Sequence, residues 1–213
     1  MTTVFIISAP SGSGKSTLVR WLLDHDKKLE FSVSYTTRQP RGNEITGSDY
    51  HFIDRPAFEQ KLANHEFLEH AEVFGNYYGT HRGILEEAEK TGKDVILDID
   101  IEGARQLKEK LPQCISIFVL APSRKVLEQR LRARSASERK VQSRIDDDIE
   151  LVIQKRLRKA ADEIRNYSRY DYVLVNDDLA RSKETLASIV AAERVRRIRV
   201  EPVVQAILAS FGQ

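Results

Sequence analysis

The sequence predicts an α/β fold: a parallel sheet with flanking helices, an inserted α+β subdomain and a basic helical segment. Three observations carry this. Short apolar runs recur along the chain, amphipathic stretches of helical period lie between them, and one aromatic, glycine-rich segment breaks the alternation. Apolar runs without polar alternation suit strands buried on both faces. Strand–helix alternation supplies the crossovers that a parallel sheet needs.

In chain order, the apolar runs are Val4 to Ile7, Val95 to Leu97, Ile115 to Leu120 and Tyr172 to Val175. The helical stretches are Ser16 to Asp24, Ile84 to Lys90, Gly103 to Leu111, Val126 to Arg134 and a long one from Ile145 to Ile164. In the last, Ile149, Val152, Ile153, Leu157, Ala160 and Ile164 recur at three- and four-residue steps, the stripe of an amphipathic helix. The segment 36–83 is rich in Gly, Tyr, Phe and charge, and holds the strand-like piece Tyr50 to Ile53. Its aromatics argue against a disordered linker, so it reads as an insert. The expected organisation is one domain over 1–213: a core of 1–35, 84–123 and 165–213, the insert 36–83, and a basic helical segment 124–164. The tail from Pro202 to Gln213 reads as an amphipathic helix that could pack on a partner subunit or on its own core, through Val203, Val204, Ile207, Leu208 and Phe211.

Composition narrows the class. With 213 residues, 41% hydrophobic and 31% charged, the chain can bury one sizeable core. Lys and Arg number 34 against 32 Asp and Glu, so no global charge points to nucleic acid or a membrane surface. The single cysteine, Cys114, rules out an intramolecular disulfide and sits in an apolar run, which suits a buried hydrophobe in a reducing compartment. The start of the chain lacks the basic region and cleavage site of a signal peptide, and no apolar run approaches the roughly 20 residues of a membrane span. A cytoplasmic protein is expected.

The motif with the clearest chemistry is Ala9-Pro10-Ser11-Gly12-Ser13-Gly14-Lys15-Ser16, placed between an apolar strand and a helix. Glycines let successive backbone N–H groups converge on a phosphate, Lys15 reaches the β- and γ-phosphates, and the Ser16 hydroxyl suits Mg²⁺. Ala9 stands where the pattern has its first glycine, a change that is tolerated if its φ stays negative. This loop calls for ATP or GTP and leaves the acceptor open. Asp98 and Asp100 end the run Val95 to Asp100, at the strand end where α/β sheets bind ligands. Asp98 is the candidate second Mg²⁺ partner, directly or through water. Residues two apart on a strand share a face, so Asp100 is expected to address the same ligand. The five histidines lack zinc-motif spacing and read as structural or exposed.

The stretch Thr36-Thr-Arg-Gln-Pro-Arg-Gly-Asn-Glu-Ile-Thr-Gly-Ser-Asp-Tyr-His-Phe-Ile53 resembles the signature of guanylate kinases. Gly42 and Asn43 are transposed relative to the usual pattern, with Arg41 and Glu44 left in register. Phe67 to Glu72, Gly75 to Gly79, Leu97 to Gly103 and Val175 to Asp178 extend the resemblance from Val4 to about Arg196. It implies a P-loop fold with a nucleoside-monophosphate-binding insert and a mobile lid, and transfer of a phosphoryl group from ATP to GMP with Mg²⁺. It also implies a substrate site. Arg38, Arg41, Tyr50 and Tyr78 suit the GMP phosphate, with Glu44 alongside. Glu69 and Asp100 suit the N–H edge of guanine, and Ser34 and Thr80 suit its O6. Asn176 is implied to help hold adenine.

Lid arginines are implied to join Lys15 and Arg38 in catalysis. Arg130-Leu-Arg-Ala-Arg-Ser135 resembles the family's lid motif with both glycines replaced, which makes Arg134 the match. The second lid arginine is Arg156, which keeps the family's spacing to Asn176, or Arg144 in another register. Arg156 is preferred because it needs no gap downstream, and its distance from Arg134 lengthens the lid. GMP and ATP are the expected partners, and nucleic acid and membrane are not. Oligomeric state stays open.

Overall fold

The computed structural model describes residues 2–73, 75–139 and 146–212, without the side chains of 136–139 and 146–149. Along the chain run β1 (Val4–Ser8), α1 (Lys15–His25), β2 (Leu29–Phe31), β3 (Tyr35–Thr36), β4 (His51–Phe52), α2 (Arg55–Ala63), β5 (Phe67–Val73), β6 (Asn76–His81) and α3 (Gly83–Thr91). There follow β7 (Asp94–Asp98), α4 (Ile101–Lys110), β8 (Ile115–Leu120), α5 (Arg124–Arg139), α6 (Asp146–Ile164), β9 (Tyr172–Val175), α7 (Leu179–Arg194) and α8 (Arg197–Ser210).

The large sheet is parallel, in the order β2-β7-β1-β8-β9. Successive side chains of a strand face opposite sides, and β1 shows the result. Phe5 and Ile7 join Leu18 and Leu22 of α1 with Leu186 and Val190 of α7 on one face. Ile6 joins Ala88 of α3 and Leu107 of α4 on the other. Both clusters are buried, which is why β1, β7 and β8 read as continuous apolar runs; β9 was expected to be buried on both faces too, but as an edge strand it leaves Val173 and Val175 exposed. The smaller sheet, in the order β4-β3-β6-β5, is built from the insert and lies between β2 and α3 in the chain. Helices α5 and α6 meet through Leu127, Leu131, Ile153, Leu157 and Ala160.

Four more sequence readings change. Strand β2 has three residues, one of them Glu30, and carries no apolar run to signal it. Helix α7 was not anticipated because two of its buried positions are polar, Ser182 and Glu193, with the Glu193 carboxylate accepting from the Tyr172 hydroxyl at 2.5 Å. Asp100 does not share a strand face with Asp98: the strand stops at Asp98, and Asp100 caps α4 by accepting from Gly103 N–H at 2.8 Å. The tail forms a helix, but its apolar side does not pack on the core: Val203, Val204, Ile207, Leu208 and Phe211 are all exposed. Among the described residues, no helix is long and apolar enough to cross a membrane. Cys114 is buried, as expected, and burial pushes its thiol up to about 11.

At the end of the sheet opposite the strand C-termini, Arg194 gathers three elements. Its Nε donates to Asp94 at 2.7 Å and its Nη1 to Asp26 at 2.5 Å, while Asp94 also accepts from Thr3 N–H. Arg194→Met leaves two largely buried carboxylates without their cation. It should cost about 3 kcal/mol and lower Tm by roughly 6–12 °C in thermal melts; an unchanged Tm would rule out this clasp.

Candidate active site

The C-terminal ends of the parallel strands share one edge, and the loop 9–16 leaves β1 there. Gly12 and Gly14 have φ of 91° and 94°, in the left-handed region that L side chains avoid. Among the described residues His65 is the sole non-glycine with positive φ, so Ala9 keeps the negative φ its substitution requires. Gly14 has a second constraint. A Cβ there would stand 2.3 Å from Asn176 Nδ2.

That approach has a purpose in the loop. Asn176 Nδ2 donates to Ser13 C=O at 2.9 Å, and Arg130 Nη1 donates to the same carbonyl at 3.1 Å. Arg130 Nη2 also donates to Asn176 C=O at 3.0 Å. Leu127 and Leu131 of α5 lie against Gly12. Asn176, expected to help hold adenine, is buried behind the loop with its amide donor committed to Ser13. Arg130 was passed over in favour of Arg134. Its signal, the first arginine of the lid motif, was present but had no assigned partner.

Lys15 opens α1 and forms an ion pair with Asp98 at the end of β7. Ser16 is exposed beside it. Asp98 and Ser16 are hard oxygen donors flanking the loop. Oxygen donors of this kind suit Mg²⁺, which takes one or two protein oxygens and completes its shell with phosphate and water.

The insert brings the second group together. Arg38 is buried and forks onto Glu44 through Nη1 at 2.9 Å and Nη2 at 3.0 Å, and Glu44 also accepts from Arg41 N–H at 2.7 Å. Burial pulls the Arg38 guanidinium down, but the Glu44 carboxylate and the Tyr78 phenol more than offset it and leave it raised. Arg38 also lies 5.2 Å from the Tyr50 ring centre, and Tyr50 packs edge-on to Tyr78. Burial, with the charge of Asp98 nearby, pushes the Tyr50 phenol up to about 12. The Arg41 side chain is exposed, above a turn in which Gly42 takes φ of 56°.

Glu69 on β5 is buried and accepts from the Thr80 hydroxyl at 2.6 Å. Its carboxyl is pushed up to about 7 by burial first and by the charge of Asp100, against the Thr80 hydrogen bond. A Cβ on Gly103 would stand 2.4 Å from Glu69 Oε2, so a side chain there would push this carboxylate out of place. Ser34 is buried too. Of the two expected lid arginines, Arg134 is exposed on α5 and Arg156 half-buried on α6. Arg144 lies outside the described residues. Glu163, at the end of α6, senses both Lys15 and Asp100, and burial raises its carboxyl; the sequence reading missed it.

A glycine-turned phosphate loop, a carboxylate at the adjacent strand end and a buried arginine pocket on an inserted sheet define a P-loop nucleotide kinase. The family profile described as guanylate kinase matches residues 1–193. A guanylate kinase of Koribacter versatilis is 53% identical over 92% of this chain and 80% of its own. That of Nitrosomonas europaea is 44% identical over the full length of both. The crystal structure of guanylate kinase from Anaplasma phagocytophilum superimposes with a TM-score of 0.74 at 34% identity, covering 93% of this chain and 89% of that one. The chain belongs to the guanylate kinase family.

The raised carboxyl of Glu69 has a stability cost with a definite sign. A carboxyl pushed up to about 7 in the fold from its ordinary value of 4.5 loses stabilisation as pH rises between those values, and the full cost stands above 7. Glu69→Gln keeps the acceptor for Thr80 and removes the charge. The variant should melt above wild type at pH 8, with the gap narrowing towards pH 5; a lower Tm at pH 8 would contradict the burial cost.

Proposed function

We propose that the chain transfers the γ-phosphoryl group of ATP to GMP, giving ADP and GDP and supplying guanine nucleotides for GTP synthesis. The same chemistry accommodates dGMP. The observation that carries the acceptor is Glu69, a buried carboxylate beside Thr80 and facing Asp100. Guanine presents N1–H and an exocyclic amine on one edge, both donors, where adenine has an acceptor at N1. A buried carboxylate left unmatched by the wrong base discriminates strongly. Ser34 and Thr80 place hydroxyls for O6.

GMP's phosphate takes Arg38, Arg41, Tyr50 and Tyr78. Glu44 holds the Arg38 fork in plane by its two bonds and steadies Arg41 through its backbone. The N–H groups of 9–16 and Lys15 bind the ATP phosphates, and Asn176 serves that site by fixing the loop carbonyl from behind. Ser16 and Asp98 would hold Mg²⁺, which supplies charge neutralisation on the transferring group when bound. A phosphate oxygen is already a nucleophile at neutral pH, so the side chains orient and neutralise and none becomes covalent. Arg134 and Arg156 act from the lid, whose closure excludes water. We divide the chain into a core (1–35, 84–123, 165–213), a GMP-binding insert (36–83) and a lid (124–164), and place the reaction in the reducing cytoplasm, where the free Cys114 fits.

A coupled assay across GMP, AMP, UMP and CMP tests the acceptor, with turnover expected on GMP alone. Lys15→Ala should lower kcat at least ~10²-fold. Turnover close to wild type would remove Lys15 from the transfer step.

A further inference from the structure

Strand β5 lies at the edge of the small sheet, and its pairing with β6 is irregular just where Glu69 sits. Phe67 pairs with His81, but Glu69 pairs with Thr80, so Leu68 is an extra residue, a β-bulge. Bulges re-aim neighbouring side chains and leave one residue unpaired. As an edge, β5 also turns the backbone groups of His70 away from β6.

Helix α4 takes up these groups. Lys110 Nζ donates to Leu68 C=O at 2.6 Å. The Gln106 side chain donates to His70 C=O at 2.9 Å and accepts from His70 N–H at 3.3 Å. A carboxamide has the donor and acceptor of a peptide unit, so Gln106 pairs His70 as a further strand would. Glu102 steadies its amide by accepting at 3.1 Å. On the same helix, Gly103 leaves room for Glu69 Oε2. The residues at 103, 106 and 110 follow helical spacing and form one face. The backbone is thus held immediately before and immediately after Glu69, and the helix doing so is capped by Asp100.

We infer that Gln106 and Lys110 are positioning residues for recognition of the acceptor base, fixing the bulged strand to α4 so that Glu69 and Asp100 keep a set separation. The inference rests on the reading of Glu69 as the group that binds the guanine N–H edge. Neither residue touches the substrate. Their effect passes through the aim of one carboxylate, for which a misplacement of about 1 Å is costly.

The test is steady-state kinetics with GMP and with inosine monophosphate, which lacks the exocyclic amine, on Gln106→Leu, Lys110→Met, Lys110→Arg, Glu69→Gln and the Gln106→Leu/Glu69→Gln double variant. Gln106→Leu and Lys110→Met should each raise KM for GMP about tenfold, the scale of one lost hydrogen bond, and shrink the preference for GMP over inosine monophosphate. KM for ATP and kcat should stay unchanged. Lys110→Arg keeps a donor for Leu68 C=O and should restore KM. In the Glu69→Gln background, Gln106→Leu should add nothing. Unchanged KM for GMP, equal losses for both acceptors and ATP, or full additivity in the double variant would overturn the inference while leaving the base reading intact. A wild-type KM for GMP in Glu69→Gln alone would instead remove the base reading itself, and the inference with it.

Discussion

The fold around the nucleotide site depends on how one backbone carbonyl is satisfied. A loop that turns its N–H groups towards phosphates must turn carbonyls the other way, and a buried carbonyl without a donor is costly. Ser13 is that residue. Its donors come from far along the chain: Asn176 follows β9, and Arg130 stands on α5. Asn176 is in turn placed by its own N–H on Leu120 C=O at 2.7 Å, at the end of β8. The loop's shape therefore requires β1, β8 and β9 to be adjacent and α5 to lie over them. Gly14 is the point where this is tightest, since positive φ and the approach of the Asn176 amide each exclude a side chain there.

The second site is arranged on a different plan. Its polar groups lie on a small irregular sheet that could not hold them alone, with two-residue strands at β3 and β4. Rigidity comes from aromatic packing, including Phe58 stacked between Phe67 and Tyr77, and from α4. Helix α4 belongs to both sites: Leu107 packs beneath β1 and β7 while Gly103, Gln106 and Lys110 face β5.

What the sequence made legible follows from the range of the interactions involved. The loop 9–16 was readable because glycine is demanded by local backbone geometry. The strands β1, β7 and β8 were readable because burial on both faces writes itself as continuous apolar runs; β9 carries such a run too, although Val173 and Val175 on this edge strand are exposed. Arg38, Tyr50 and Glu69 entered through a resemblance, and the structure places them in buried or half-buried surroundings. The cap made by Asp100 is local, an aspartate accepting from the N–H three residues on, and was hidden by the apolar strand run before it. The bulge at Leu68 and the amide of Asn176 turned behind the loop were not readable. Each depends on a neighbour distant in sequence, and no local pattern announces it. Helix α7 failed for another reason: Ser182 and Glu193 fill core-facing positions that a hydrophobic period would give to leucine.

The pairing of Lys15 with Asp98 and of Arg38 with Glu44 bears on how nucleotides come and go. Each of these cations already has an anion from its own chain. An arriving phosphate therefore does not simply meet a bare positive charge. Pairing of this kind leaves the local charge balance closer to even than a count of arginines and lysines would suggest. It weakens long-range attraction for every anion alike and leaves tight binding to the close contacts that each nucleotide makes in its own site. The protein thus trades speed of capture for indifference to the many other phosphates that share its solution.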